Sequence, residues 1–193
     1  MQGLWSFDYR DPPEGGHMAG QHTLSETESA VSARLGDLDV DFEAMAVASN
    51  LFRAANAVRN HLERTVLARA DLTWTAFVVL WVTWIWEPIE TRQIAAEGGF
   101  SKATLSGVLT TLENRGLLER TRGKSDGRLV DVSLTPSGRR LMKRLFPDFN
   151  TEERNVTRFL SSADKQQATG FLRELIRAVE KEGTISVPPT RSA

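Results

Sequence analysis

Apolar residues recur three or four positions apart from residue 41 onward, as they do along one face of an α-helix. The first such run predicts a long helix from residue 41 to about residue 69. Its apolar positions are Leu51, Ala55, Val58, Leu62 and Val66. A second helix is predicted after Thr73, whose hydroxyl suits an N-cap, and it ends at Glu87-Pro88. Residues 1–38 have few large apolar side chains after Tyr9 and are interpreted as a largely flexible tail.

Two shorter helices are predicted next, separated by a tight turn at Gly98-Gly99. The third helix runs from a cap at Thr91 to Glu97. The fourth begins at a Ser101 cap and ends at Gly116, where glycine favours a left-handed stop. Spacings of i, i+3, i+4 and i+7 give the fourth helix one apolar stripe, formed by Leu105, Val108, Leu109 and Leu112. We interpret this stripe as core, which leaves the polar side of the helix outward.

Two strand-like runs follow, "LLERT" at 117–121 and "RLVDVSL" at 128–134. The loop between them, "RGKSDG", contains two glycines, so the pair is predicted to form a β-hairpin. Thr135-Pro136 then favours a helix start, with proline at the first helical position. That helix is expected to bend or break at Pro147.

Two capping-box spacings mark further helix starts, Asn150 with Glu153 and Ser161 with Asp164. The last helix is predicted to carry one wide apolar stripe and to end at Gly183. The stripe contains Ala168, Phe171, Leu172, Leu175, Ile176 and Val179. It either packs inside one subunit or forms a contact with a second copy of the chain.

Charge is distributed unevenly along the 193 residues, although the net charge is only -1. Residues 1–50 carry two arginines against nine acidic residues, whereas residues 101–144 carry ten lysines and arginines against four acidic residues. Local charge decides whether a polyanion is attracted. The basic block contains the fourth helix and the hairpin, which points to nucleic acid as the partner.

Several other classes of protein fit the sequence poorly. The chain has no cysteine and only three histidines, so neither a metal site nor another cofactor is predicted. No apolar run is long enough to span a membrane, no secretion signal is recognisable, and a cytoplasmic location is expected. No glycine-rich phosphate loop, Ser-His-Asp set or clustered carboxylates indicate an enzyme, and no catalytic residue is predicted.

The order of helix, tight turn, capped helix and hairpin is typical of a winged helix-turn-helix within a mainly α (α+β) fold. In this arrangement a helix enters the major groove of double-stranded DNA. The candidate contacts in that groove are the exposed polar residues of the fourth helix, Ser101, Lys102, Thr104, Ser106, Thr110 and Asn114. The candidates on the hairpin, or wing, are Arg122, Lys124, Asp126 and Arg128.

The wing residues are expected to have different roles. Arg128 suits the minor groove, where the potential is most negative, and Asp126 two positions earlier is expected to orient it. Arg122 and Lys124 are expected to contact phosphates. The alternative is a solvated basic loop without a DNA contact. Gly107 interrupts the fourth helix at a cost of up to about 1 kcal/mol, which indicates a steric reason, a close approach to DNA or to the preceding helix.

Residues 71–138 resemble the core of the MarR (multiple antibiotic resistance regulator) family. The matching motifs, in order, are "LT" before the second helix, "SKATLSGVLTTLENRGLLER", "DGR" in the wing and "LTPSG". The resemblance implies a homodimer whose first and last helices interlock, over 39–70 and 145–183. It places the winged helix-turn-helix at 71–144 and leaves 184–193 as a C-terminal tail. It also implies a palindromic operator and, commonly, repression relieved by a small molecule. The stripe assigned to the dimer contact is Phe171, Leu172, Leu175, Ile176 and Val179.

The second helix departs from the family in its load of tryptophan. Trp74, Phe77, Trp81 and Trp84 fall on one helical face. One interpretation is core packing, and the other is a wall of an effector pocket, since such pockets are apolar and aromatic. In the family this pocket lies where the dimerisation helices meet the winged domain. The resemblance then adds three polar candidates, Arg53, Asn60 and His61, of which Arg53 would pair with a carboxylate. Aromatic acids and their thioesters would suit such a pocket. His61 is otherwise a structural histidine.

The sequence therefore predicts a homodimeric, DNA-binding transcriptional repressor that responds to a small molecule. Two alternatives stay open, a MarR-like activator and a winged-helix module that binds proteins without an operator. The salt dependence of binding distinguishes the protein-binding module from a DNA-binding regulator, because a surface that binds phosphates loses affinity steeply as salt is raised.

Overall fold

The computed structural model describes residues 22–122 and 130–182. They belong to two compact units, with the boundary between Ala54 and Ala55 inside one long helix. The first unit contains helix α1, Leu24–Leu35, and the N-terminal half of α2, Phe42–Thr65. Within the described ranges, no helix combines the length and apolar character that crossing a membrane requires.

Helix α1 lies in the segment that the sequence analysis interpreted as a flexible tail. A capping box begins it: the Thr23 hydroxyl accepts from the N–H of Glu26 at 3.2 Å, and the Glu26 carboxylate accepts the N–H of Thr23 at 2.7 Å. Across the hairpin of the first unit, the Asn50 amide of α2 donates to Glu28 of α1 at 3.3 Å. The prediction of a flexible tail is therefore wrong for this segment. The helix is short and mostly polar, and its main local signal is the capping-box spacing of Thr23 and Glu26.

The second unit contains the remainder of α2, a short 3₁₀ helix, five further helices and a small sheet. The helices are the 3₁₀ turn Leu67–Ala70, α3 Trp74–Trp86, α4 Thr91–Gly98, α5 Lys102–Asn114, α6 Pro136–Val156 and α7 Ser162–Glu182. The strands are β1 Ile89–Glu90, β2 Leu118–Arg122 and β3 Val130–Leu134. β3 is central and antiparallel to both neighbours, with Thr121 opposite Asp131 and Ile89 opposite Val132. The mainly α fold and the predicted hairpin are confirmed.

Most of the predicted caps are confirmed. The hydroxyls of Thr73, Ser101 and Thr135 each accept the backbone N–H three residues later, at 3.1–3.2 Å. Ser161 and Asp164 form the predicted capping box ahead of α7. Gly116 has φ 64°, the left-handed conformation expected of the residue that ends α5.

Helix α6 runs unbroken through Pro147, so the predicted restart at Asn150 is wrong. Its apolar face is buried on both sides of the proline, by Met142 and Leu145 before it and by Phe149 after it. The Thr151 hydroxyl also donates to the carbonyl of Pro147 at 2.9 Å. Packing on one face therefore outweighs the loss of one backbone hydrogen bond on the exposed face.

Two other boundaries differ from the sequence analysis. α2 ends at Thr65 rather than near Arg69, because the chain tightens into the 3₁₀ turn that closes on Asp71 at φ 52°. The two-residue strand β1 was not predicted, and it moves the start of α4. Glu90, with Gln93, forms the capping box there instead of Thr91.

Helix α3 is the centre of the second unit, since it contacts α4, α5, α6 and β3. Its buried hydroxyl, Thr83, donates to the carbonyl of Val79 at 2.8 Å and so leaves no unsatisfied donor. At the end of α3, one carboxylate oxygen of Glu87 accepts the Leu134 N–H at 2.7 Å and the other accepts Arg139 Nε at 2.8 Å. Glu87 thereby joins α3 to the end of β3 and the start of α6.

Candidate DNA-binding surface

Helix α5 has a buried side and an exposed polar side, as the sequence predicts. Leu105, Leu109 and Leu112 are at most 3% exposed and form its core face. The structure places all six candidate major-groove residues on the exposed part of the helix or at its cap. They are Ser101, Lys102, Thr104, Ser106, Thr110 and Asn114. An exposed helix face of this kind, preceded by α4 and the turn at Gly99, has the size that enters a major groove.

The cap residue Ser101 has two tasks within the helix. Its hydroxyl accepts the N–H of Thr104 and also lies 2.9 Å from the hydroxyl of Thr104. Both side chains are therefore held in one arrangement at the N-terminal end of α5. The amide groups of that end, together with the positive end of the helix dipole, favour an adjacent phosphate.

Gly107 lies on the exposed side of α5, away from the buried leucines. A Cβ added there would meet no atom within 4 Å beyond its own turn of helix. The preceding helix therefore does not require the glycine, which removes one of the two steric reasons considered from the sequence. The cost to the helix of up to about 1 kcal/mol has no compensation among the described residues.

The wing is described only in its strands. β2 ends at Arg122, whose backbone pairs with Val130 of β3. Three of the candidate wing residues, Lys124, Asp126 and Arg128, lie outside the described residues, as does the side chain of Arg122. Their predicted contacts stay predictions.

An ion pair that the sequence analysis missed joins the wing to α5. Arg120 of β2 donates from Nε to Glu113 of α5 at 2.9 Å, and its Nη2 contacts the same oxygen. This hydrogen bonding, with the charge of Arg120, lowers the pKa of Glu113 below its ordinary value. The sequence does contain a signal for this ion pair. Its two charges are opposite and seven positions apart, with Glu113 near the end of the predicted fourth helix and Arg120 in the following strand.

The Glu113 carboxylate is expected to titrate at a lower pH in the folded protein than after loss of Arg120. Since the folded pKa is depressed, the stabilisation is present above the unfolded pKa and is lost as the pH falls through the folded pKa. Carboxyl ¹³C NMR of the protein and of Arg120→Ala measures both values. Arg120→Lys should give an intermediate pKa, whereas an unchanged Glu113 pKa in Arg120→Ala would contradict the assigned cause.

A second arginine that the sequence analysis missed also holds the C-terminal end of α5, where it is the C-cap residue. Arg115 donates from Nη2 to the carbonyl of Ala70 at 3.0 Å and from Nη1 to the carbonyl of Asp71. These carbonyls close the 3₁₀ turn between α2 and α3. The orientation of α5 is therefore set by arginines at two places, Arg115 on the helix and Arg120 on the wing.

Three cations surround an open groove of about 320 Å³ between α4, α5 and the sheet. Lys102 lies on α5, Arg120 on β2, and Arg92 on α4, where its Nε contacts the Glu90 carboxylate. Leu105 and Leu109 form part of the floor. Two of these cations are paired with carboxylates, Arg92 with Glu90 and Arg120 with Glu113, so Lys102 is the cation of this groove for which no ion pair is described.

The tryptophans proposed for an effector pocket pack against α6. The Phe77 and Phe149 rings stack with centroids 4.3 Å apart, and the Trp81 and Phe146 rings stack at 4.6 Å. Trp74 lies 6.3 Å from Phe149 and Trp84 lies 6.1 Å from Phe146, measured between centroids. Phe77 is buried, whereas Trp74, Trp81 and Trp84 are partly buried against the core, so the packing favours core and the pocket interpretation stays a prediction.

The polar pocket candidates are distributed over both units. His61 Nε2 lies 2.8 Å from a Glu152 carboxylate oxygen, which gives this histidine a structural partner and lowers the pKa of Glu152. Asn60 is half-buried on α2 beside it in sequence. Arg53 belongs to the first unit, where it lines a small pocket of about 70 Å³ between α1 and α2.

The apolar stripe of α7 is exposed in the single chain. Between 37% and 64% of each side chain is accessible, and the residues are Phe171, Leu172, Leu175, Ile176 and Val179. Packing of this stripe inside one subunit, the first alternative from the sequence, does not occur in the described chain.

Comparisons with known proteins agree with this geometry. The MarR family model matches residues 72–130. The uncharacterized HTH-type transcriptional regulator YwaE of Bacillus subtilis is 37% identical over 155 residues, which cover 79% of this chain and 91% of the relative. The MepR–DNA complex of S. aureus has a TM-score of 0.62 at 22% identity and covers 67% of this chain and 96% of MepR. Bordetella bronchiseptica BpsR, whose DNA binding is regulated by 6-hydroxynicotinic acid, has a TM-score of 0.60 at 25% identity, over 66% of this chain and 97% of BpsR.

A capped helix with an exposed polar face, a preceding tight turn and an antiparallel hairpin define a winged helix-turn-helix transcriptional regulator that binds DNA. The chain belongs to the MarR family.

Proposed function

We propose that this chain is a homodimeric repressor that binds a palindromic operator and is released by a small aromatic acid or thioester. The observation that carries the proposal is the exposed polar face of α5, which precedes a hairpin whose sequence is basic. In a dimer, the two α5 helices would enter successive major grooves about 34–36 Å apart. The wings would reach the flanking minor grooves, with Arg128 as the proposed contact.

The exposed stripe of α7 supports the dimer. A row of large apolar side chains at helical spacing is the surface that a second helix covers. The proposed dimerisation region comprises residues 39–70 and 145–183, so α2 and α7 would supply it. The two winged helix-turn-helix units of a dimer, its reading heads, would bind one operator together. They would gain affinity from avidity, which a monomer lacks.

The proposed effector class is an aromatic acid or its thioester. BpsR responds to an aromatic acid, 6-hydroxynicotinic acid. Arg53, with a cationic guanidinium, is the proposed partner for such a carboxylate, and it lines the small pocket of the first unit. The effector would shift the spacing of the reading heads because it binds one spacing better than the other.

Selection from a random-sequence duplex library with the full-length chain tests the operator proposal. Enrichment of a palindrome is expected, with affinity that falls steeply with salt. Replacement of Thr110 by alanine should change the preferred base at one position of each half-site and cost about 1–3 kcal/mol. The same holds for Ser106→Ala at a neighbouring position.

Thr151→Ala, an exposed threonine replacement on α6, is the matched control and should leave the selected sequence unchanged. Uniform weakening across sequences in Thr110→Ala would contradict base readout by α5. Enrichment of no sequence by the unaltered protein would favour the protein-binding alternative. Reporter expression from the selected promoter separates a repressor from an activator.

A further inference from the structure

Gly107 is one of two glycines in the middle of described helices whose Cβ position is open. The other is Gly170 of α7, and an added Cβ meets no atom within 4 Å at either place beyond the local helix. Glycine weakens a helix interior relative to alanine. The fold of the described chain supplies no reason for Gly107, and this glycine, unlike Gly170, lies on the polar face of α5 that is proposed to enter the major groove.

The surface around Gly107 is a notch in the exposed face of α5. Its neighbours at i±3 and i±4 are Ala103, Thr104, Thr110 and Thr111, all exposed. The hydroxyl of Thr104 is hydrogen-bonded to that of Ser101, and the hydroxyl of Thr111 donates to the carbonyl of Gly107 at 3.0 Å. Two of the hydroxyl groups beside the notch are therefore already hydrogen-bonded within the helix. The methyl group of Ala103 adds apolar surface there.

We propose that the Gly107 notch receives the 5-methyl group of a thymine in each half-site and so determines specificity at that base pair. This rests on the proposed entry of α5 into the major groove. Thymine is the base that presents a methyl group there, and small or methyl-bearing side chains recognise it by apolar contact. A Cβ at position 107 would occupy the same space and hold the helix away from the base edges.

The test uses the full-length protein and the duplex that it selects from a random library. Each thymine of a half-site is replaced in turn by uracil, which removes only the methyl group. One replacement should weaken binding by about 4-fold per half-site, the value of one buried methyl-sized group. Gly107→Ala should bind the selected duplex at least about 10-fold more weakly, keep its affinity for a scrambled duplex, and lose its sensitivity to that uracil.

Gly170→Ala is the matched control. Gly170 lies on the side of α7 opposite the apolar stripe, so this variant should keep both affinities and the uracil effect. Both alanine variants should raise the melting temperature by about 2–4 °C, which shows that any loss of binding by Gly107→Ala is not a loss of folding.

Three results would overturn the proposal: no thymine with a methyl effect, an undiminished uracil effect in Gly107→Ala, or equal weakening of that variant on selected and scrambled duplexes. Each leaves operator binding by the unaltered protein intact. Failure of the unaltered protein to enrich any sequence is a different result, which removes the proposed function and this proposal with it.

Discussion

Replacement of Phe149 by alanine is expected to destabilise the second unit by about 3–5 kcal/mol. The Phe149 side chain is 4% exposed, and its ring stacks on Phe77 at 4.3 Å and lies near Trp74 and Phe146. Removing it leaves a cavity between α3 and α6 that stacked rings cannot readily fill. Urea unfolding followed by tryptophan fluorescence measures the loss, because Trp74 lies beside the cavity.

Phe159→Ala is the control for the same chemical change, since that ring is 79% exposed. It should alter the free energy of unfolding by less than about 0.5 kcal/mol. If Phe149→Ala cost no more than Phe159→Ala, the ring cluster would not be core, and the interpretation of the α3 aromatics as pocket wall would regain support.

Ile176→Glu is expected to convert the proposed dimer to monomers and to lower operator affinity by about 100-fold or more. Ile176 is 53% exposed in the centre of the α7 stripe, and a carboxylate there would be buried without a partner on association. Sedimentation of the protein alone measures the oligomeric state. Titration of a duplex carrying both half-sites measures the loss of avidity.

Gln166→Glu adds one negative charge to the opposite side of α7 and should leave the dimer intact. Comparison of the two variants therefore shows whether loss of the dimer depends on where the negative charge is added or on the added charge alone. A dimer that persists in Ile176→Glu would contradict the proposed interface, whereas monomers that bind the full operator with undiminished affinity would contradict the need for two reading heads.

Local signals in the sequence were sufficient for much of the DNA-binding surface. Ser101, Thr135 and Gly116 act through contacts three to five residues away, so their roles as caps and stops follow from sequence alone. The apolar stripe of α5 likewise fixes which side of that helix faces outward. The winged helix-turn-helix could therefore be predicted with its polar face assigned.

The missed features depend on contacts between distant residues. Strand β1 exists because Ile89 pairs with Val132 across the sheet, and two residues carry too little pattern to be recognised. Arg115 is fixed by the carbonyls of Ala70 and Asp71, which no spacing rule connects to it. The course of α6 through Pro147 depends on burial of Phe149 against α3, an outcome of tertiary packing that outweighs the local preference of proline.

The two contacts of the Glu87 carboxylate couple the movement of α6 to that of the sheet. Because its two oxygens bind the backbone of β3 and the guanidinium of Arg139, α6 cannot slide along the sheet without breaking a charge-assisted hydrogen bond. A displacement of α6 is therefore expected to move β3 and the hairpin together with it. In the proposed dimer, the distance between the two winged units, rather than the internal shape of either, is then the quantity that the proposed effector would change.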